Sequence, residues 1–260
     1  MLELAERAYF RVCLALGRLL RSARYSNVRF VSHEGVVHVH KRRALYAPLL
    51  VWLGDPLVRM LDTGVRVLPQ REWEERERLI YRNLYGTSIR IEGDRTLVLP
   101  CLPGQTLANL LEKSELETSA RNSAIELAVV ALGEFHRAGF THGDAMAENV
   151  MVDLETGVAR WFDFETVHDP GRPIEWRRAD DLRALIATCL LRSPHADVAE
   201  TVRIVLDSRA GEEAVRLVAV SFASAFRRSL PFHLGQAPLS CQDYHELGRL
   251  LGERFRRHRM

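Results

Sequence analysis

The sequence predicts an α+β chain in which strands come early and helices dominate the remainder. Three observations carry this. Residues 28–41 hold two short runs with the two-residue alternation of strands, separated by a turn at Ser32 to Gly35. A second hairpin is legible further on, with Val150 to Val152 and Val158 to Phe162 as strands and Asp153 to Gly157 as the turn. Most of the other apolar residues recur at helical spacing. With 260 residues and 47% apolar content, the chain suffices for one large domain or two small lobes with a full core.

Taken in order, residues 2–23 read as an amphipathic helix, with Tyr9, Val12, Cys13, Leu16, Leu19, Leu20 and Ala23 on one stripe. It packs on the body of the protein or, through Arg7, Arg11, Arg18, Arg21 and Arg24, lies against anionic lipid. In the strand Val36 to Lys41, Val37, Val39 and Lys41 share one face. Lys41 therefore ends an inward-facing apolar stripe, and an ammonium there requires a carboxylate or a phosphate. The apolar stretch Tyr46 to Leu61 is broken by Pro48, Gly54 and Pro56, and reads as an insertion or a membrane-touching surface.

Residues 71–85 have a strong helical pattern on Trp73, Ile80 and Leu84. Of the glutamates Glu72, Glu74, Glu75 and Glu77, only Glu77 falls inside that stripe, roughly 40° from Trp73 at about 100° per residue. A carboxylate on a buried face needs a cation, which makes Glu77 the partner expected for Lys41. Residues 96–107 read as a strand, a Pro-Gly turn and a helix start. Residues 119–138 form a helix carrying Ile125, Ala128, Leu132 and Phe135, with Gly139 as its stop. A connector is expected over 166–178, then a helix with Asp181 near its start, beside the stripe Leu182, Leu185, Ile186 and Cys189. Residues 198–260 are mostly helical and end in the basic Arg254, Arg256, Arg257 and Arg259.

The most informative stretch is His142-Gly143-Asp144, with Asn149 five residues after Asp144 and Asp163 fourteen after Asn149. The intervening hairpin can bring Asn149 and Asp163 side by side, facing Asp144. Two hard oxygen ligands beside a third carboxylate suit Mg²⁺ and a phosphate donor. His-x-Asp-x-x-x-x-Asn followed by Asp-Phe-x resembles the catalytic core of the protein-kinase-like fold. The form here, His-Gly-Asp with Asp-Phe-Glu, is similar to the aminoglycoside phosphotransferase and lipopolysaccharide-kinase branches.

The resemblance implies a bilobal fold. The N-terminal helix at 1–25 would precede a sheet-bearing lobe at 26–102, and a helical lobe with the catalytic and metal loops would occupy 103–260. It implies ATP and Mg²⁺ as cofactors. Asp144 would orient or deprotonate an acceptor hydroxyl, Asn149 and Asp163 would hold Mg²⁺, and Lys41 paired with Glu77 would hold donor phosphates. The Pro100 carbonyl and the Leu102 amide would hold adenine, and Gly35 would contribute to a phosphate-binding loop. His142 and Asp181 would be structural, Asp181 bracing the catalytic loop. No Ala-Pro-Glu motif is present, and Gly143 stands where protein kinases carry an arginine. A sugar, glycolipid or other small molecule is thus the expected acceptor, ahead of a peptide. A pseudokinase or nucleotide-regulated binding module is the alternative, favoured by the glycine-poor Ser32-His33-Glu34-Gly35 turn; an atypical protein kinase is a lesser one.

Composition narrows the classes. A net charge of +2 gives no reason to expect nucleic acid. The four cysteines, Cys13, Cys101, Cys189 and Cys241, lie far apart with no zinc-type spacing, and read as thiols in a reducing compartment. The chain starts without a basic region followed by an apolar run, and no uncharged run spans a bilayer. The expected location is the cytoplasm, with peripheral contact at the inner face of a membrane as a compatible variant. No obligate protein partner is expected. Of 36 basic residues only Lys41 and Lys113 are lysine. In such a chain a lysine points to a position wanting a compact ammonium rather than a planar fork.

Overall fold

A computed structural model describes residues 26–46, 64–93, 95–193, 197–207, 212–222, 246–250 and 253. The expected helix at 2–23, nearly all of the broken apolar stretch at 46–61 and the basic tail at 254–259 lie outside the described residues. The architecture is mixed, with small antiparallel sheets and helices.

Strands β1 (Ser26–His33) and β2 (Val36–Arg43) form the expected hairpin, with two residues in its turn where four were expected. Glu34 and Gly35 take φ of 51° and 80°, so both turn residues are left-handed, which matches the twist of the flanking strands. The hairpin joins β5 (Thr96–Pro100) and β4 (Arg90–Glu92) in a four-stranded sheet ordered β1-β2-β5-β4. Across it Val28 faces Lys41, Phe30 faces Val39, and Leu97 and Leu99 face Lys41 and Val39 from the other side.

Helix α1 (Gln70–Tyr85) buries Trp73, Glu77, Ile80 and Tyr81, the face its periodicity marks, and ends on a left-handed Gly86. Two further pairings were not legible in advance. The 2-residue strand β6 (Gln105–Thr106) joins the expected hairpin β7 (Val150–Asp153) and β8 (Val158–Trp161). Strand β3 (Val65–Val67) pairs with β9 (Thr166–His168) across about a hundred residues of chain, a contact that local periodicity cannot reveal.

Helices α2 (Leu107–Leu111) and α3 (Thr118–Arg137) follow the sheet, and Thr106 caps α2 by accepting from the Asn109 amide. Helix α4 (Ile174–Arg192) starts earlier than expected, immediately after Pro173, so 174–178 are helix and not connector. Asp181 therefore sits in its third turn, not at its start. Helices α5 (Val198–Asp207) and α6 (Glu212–Phe222) follow, and residues 246–250 are also helical.

The core runs through Leu107, Leu111, Ile125, Leu132, Phe135, Val150, Trp161, Phe164, Leu185 and Ile186, all nearly inaccessible. Burying an aliphatic or Phe side chain of this kind contributes about 1.5–3 kcal/mol before ordering costs. Trp161 donates its indole N–H to the Ala128 carbonyl at 3.2 Å, which lets a polar ring enter that core and fixes β8 on α3. Among the described residues no helix is long and apolar enough to cross a membrane.

Candidate active site

The loop before β7 begins at His142, whose ring is buried among Phe135, Trp161 and Phe164. Its Nε2–H donates to the Phe162 carbonyl at 3.0 Å, and its Nδ1 accepts the Asp144 amide at 3.3 Å. That pair of bonds requires the neutral ring. Burial pushes the imidazole down to about 3, despite the attraction of Asp181. His142 thus ties the Asp144 loop to the strand that delivers Asp163.

Asp181 secures the same loop from α4. Fully buried, its carboxylate accepts the His142 amide at 2.8 Å, the Gly143 amide at 2.9 Å and the His136 Nε2–H at 2.9 Å. Burial opposes its charge, but His168, His136 and His142 outweigh this and hold the carboxyl down at about 2. Gly143 has φ +82°, and a Cβ there would lie 3.0 Å from Val167 backbone atoms, so only glycine fits without a shift. Thr188 on α4 accepts the Ala147 amide at 3.0 Å and anchors the loop's far end.

Asp144 is partly accessible, and Asn149 is bound to it. The Asn149 Nδ2 donates to the Asp144 backbone carbonyl at 2.9 Å and to its carboxylate at 3.0 Å. Both neighbours are acceptors, so the amide nitrogen faces Asp144 and the Oδ1 faces away. The Asn149 carbonyl accepts the Phe162 amide at 2.9 Å, which places Asn149 and Asp163 at the same end of the β7–β8 hairpin.

Asp163 has a left-handed backbone with φ +67°, a conformation that Asp tolerates better than most residues. Its Oδ1 accepts from Lys41 Nζ at 2.7 Å, and its side chain remains 39% exposed. Lys41 is 6% exposed and also lies 2.8 Å from Glu165 and 3.7 Å from Glu77. Burial alone would lower its pKa, but Asp163, Glu165 and Glu77 together raise it well above the ordinary lysine value. The ammonium also lies 5.1 Å from the centre of the Trp73 ring. Glu77 is fully buried, and its Oε1 accepts from the Trp73 indole at 3.0 Å and the Phe164 amide at 3.3 Å.

Lys41 and Asp163 close one end of an apolar cleft of about 750 Å³, its open mouth included. Val28, Phe30 and Val39 line the side from β1 and β2. Leu99, Pro100, Cys101 and Leu102 line the segment leaving β5, and Met151 and Phe162 come from the β7–β8 hairpin. Val28 and Phe30 are exposed at 52% and 70%, as is most of β1. Pro100 and Leu102 thus lie on the wall of this cleft. Gly35 is not among the lining residues. Lys41 lies six positions further along the chain, about 20 Å at the usual rise, so Gly35 sits well away from the charged end of the cleft.

The donor set fits Mg²⁺ carried with a phosphate. Asn149 Oδ1 is turned away from Asp144, and Asp163 keeps one carboxylate oxygen that Lys41 does not take. Magnesium commonly takes one or two protein oxygens and completes its shell with phosphate and water. Among the described residues no group of three or more His, Cys, Asp or Glu forms a metal cage.

Sequence reasoning passed over Glu165, although it lies two residues after Asp163. Residues 163–165 form a turn with Asp163 left-handed, so no strand alternation marked Glu165 in advance. It also passed over His136, His168 and Asp180. His168 donates Nε2–H to Asp180 at 3.0 Å and joins Thr141 at 3.0 Å, a buried chain under the loop that exists only once α3, β9 and α4 meet.

No protein-family model matches the chain, and no curated protein matches it. Among solved structures, it is similar to the bifunctional kinase-methyltransferase WbdD, with a TM-score of 0.45 and 16% identity over 85% of this chain and 46% of that one. The chain therefore spans less than half the length of that structure.

Proposed function

We propose that the chain is an ATP-dependent phosphotransferase that moves the γ-phosphate to a hydroxyl of a small molecule, a sugar or a glycolipid. The observation that carries this is the contact of Lys41 with Asp163 at the end of an apolar cleft, beside an Asp144 held by Asn149. The Pro100 carbonyl and the Leu102 amide would hold adenine, with Val39 and Met151 lining the cleft beside it. Lys41 turns its ammonium to the donor phosphates. Mg²⁺ on Asp163 and Asn149 Oδ1 neutralises phosphate charge when bound. The acceptor oxygen forms a bond to Pγ as the bond to the ADP oxygen breaks, and the hydroxyl proton passes to the Asp144 carboxylate.

A small acceptor is supported by the chain after Asp163. Only residues 164–173 separate it from α4, and β9 occupies part of them, which leaves no long segment for a peptide to lie along. A nucleotide-regulated binding module is the second reading, supported by the distance of the Glu34-Gly35 turn from Lys41. The two separate on Asp144→Asn. Mg·ATP affinity stays within about threefold of wild type while phosphotransfer falls by at least about a hundredfold, the scale of a positioned base. Unchanged turnover on a genuine acceptor refutes the assigned role.

A further inference from the structure

We infer that Glu165, and not the helix residue Glu77, is the positioning residue for Lys41; this rests on the phosphotransferase reading above for its functional consequence. Helix-borne glutamate pairing was the expectation from sequence, and the geometry divides the two roles differently. Glu165 Oε1 forms an ion pair with the ammonium at 2.8 Å, whereas Glu77 lies 3.7 Å away. The Glu77 Oε1 nearest Lys41 already accepts the Trp73 indole and the Phe164 amide. Glu77 therefore clamps the Asp163-Phe164-Glu165 turn to α1, and that turn in turn holds the lysine.

Glu165 is itself restrained. Its Oε1 accepts the Ser26 hydroxyl from the start of β1, and its backbone carbonyl accepts the Leu68 amide at 2.8 Å. Its side chain is 10% exposed. Asp163 and Glu165 thus grip Lys41 from one turn, so phosphate-binding lysine and metal-binding aspartate are set by the same segment. A swing of α1, the means by which protein kinases make or break their lysine–glutamate pair, is not needed to place this lysine. When Asp163 turns to a metal, Glu165 remains to hold the ammonium.

The chain has two lysines, so a sample labelled with ¹⁵N at lysine Nζ gives two signals, Lys41 and Lys113. In the full chain without nucleotide, Lys41 Nζ protons should exchange slowly. Glu165→Gln should speed that exchange by about tenfold or more, and Glu77→Gln by less than about threefold while lowering the melting temperature. Mg·ATP dissociation constants should follow the same order, with Glu165→Asp in between. The reverse ranking, or equal effects, overturns the inference. A wild type that binds no Mg·ATP sinks the phosphotransferase reading, while the exchange rates still decide which glutamate holds Lys41. If Glu165→Gln fails to fold, Glu165→Asp decides, because its shorter carboxylate must withdraw from Lys41 and an unchanged exchange rate then overturns the inference.

Discussion

Replacing Asp181 by asparagine should be among the most damaging isosteric changes to this protein. The carboxylate is fully buried and accepts the amides of His142 and Gly143 and the ring N–H of His136. Its pKa falls from 3.8 to about 2, so the folded state favours the charged form by about 2–3 kcal/mol. Asparagine removes that charge. It also turns an NH₂ group toward a donor, leaving a buried polar pair unmade at about 1–3 kcal/mol. The sum is about 3–6 kcal/mol, which is a large part of the stability of an ordinary domain. Urea unfolding followed by tryptophan fluorescence measures it. The sign of the pH effect follows from the depressed pKa. Wild-type stabilisation by Asp181 is complete above about pH 4 and disappears as pH falls through about 2, so the gap between wild type and variant should narrow over that window. A loss below about 1 kcal/mol at pH 7, or a gap that does not narrow in acid, would show that the loop is held by something else.

Two further predictions concern the same loop. Gly143→Ala forces a left-handed alanine against the Val167 backbone and should cost about 2 kcal/mol, read as a lower urea midpoint with an unchanged slope. His142 is held neutral with its pKa lowered to about 3, so the unfolded chain takes up a proton first as pH falls below 6.5; stability should drop by about 2 kcal/mol between pH 7 and 5 from this residue alone, and His142→Gln should flatten that slope.

Much of the site was legible because its signals are local. The β7–β8 hairpin, the loop from His142 to Asn149 and the buried face of α1 each follow from spacing within about twenty residues. Glu77 was placed on the buried face by helical angle alone, and it is fully buried. What sequence reading missed depends on contacts far apart in the chain. Ser26 reaches Glu165 across 139 residues, and β3 finds β9 only in the folded state. Lys41 was expected to choose one carboxylate because charge pairing was argued two residues at a time. In the structure three carboxylates surround it, Asp163 at 2.7 Å, Glu165 at 2.8 Å and Glu77 at 3.7 Å, and the two nearest come from one turn far along the chain. Gly35 was expected, by resemblance, to contribute to a glycine-poor phosphate loop; its turn lies about 20 Å along β2 from Lys41 at the usual rise.

The most direct test of the account is the thermal stability of wild type and Asp163→Ala with ATP, in the presence and absence of Mg²⁺. A ligand that binds only the folded state must raise the melting temperature, by about 2.7 kcal/mol of stabilisation at a hundred times its dissociation constant. The account predicts a rise that requires Mg²⁺ and disappears in Asp163→Ala. No rise in wild type at millimolar ATP, or a rise that survives the loss of Asp163, would contradict it.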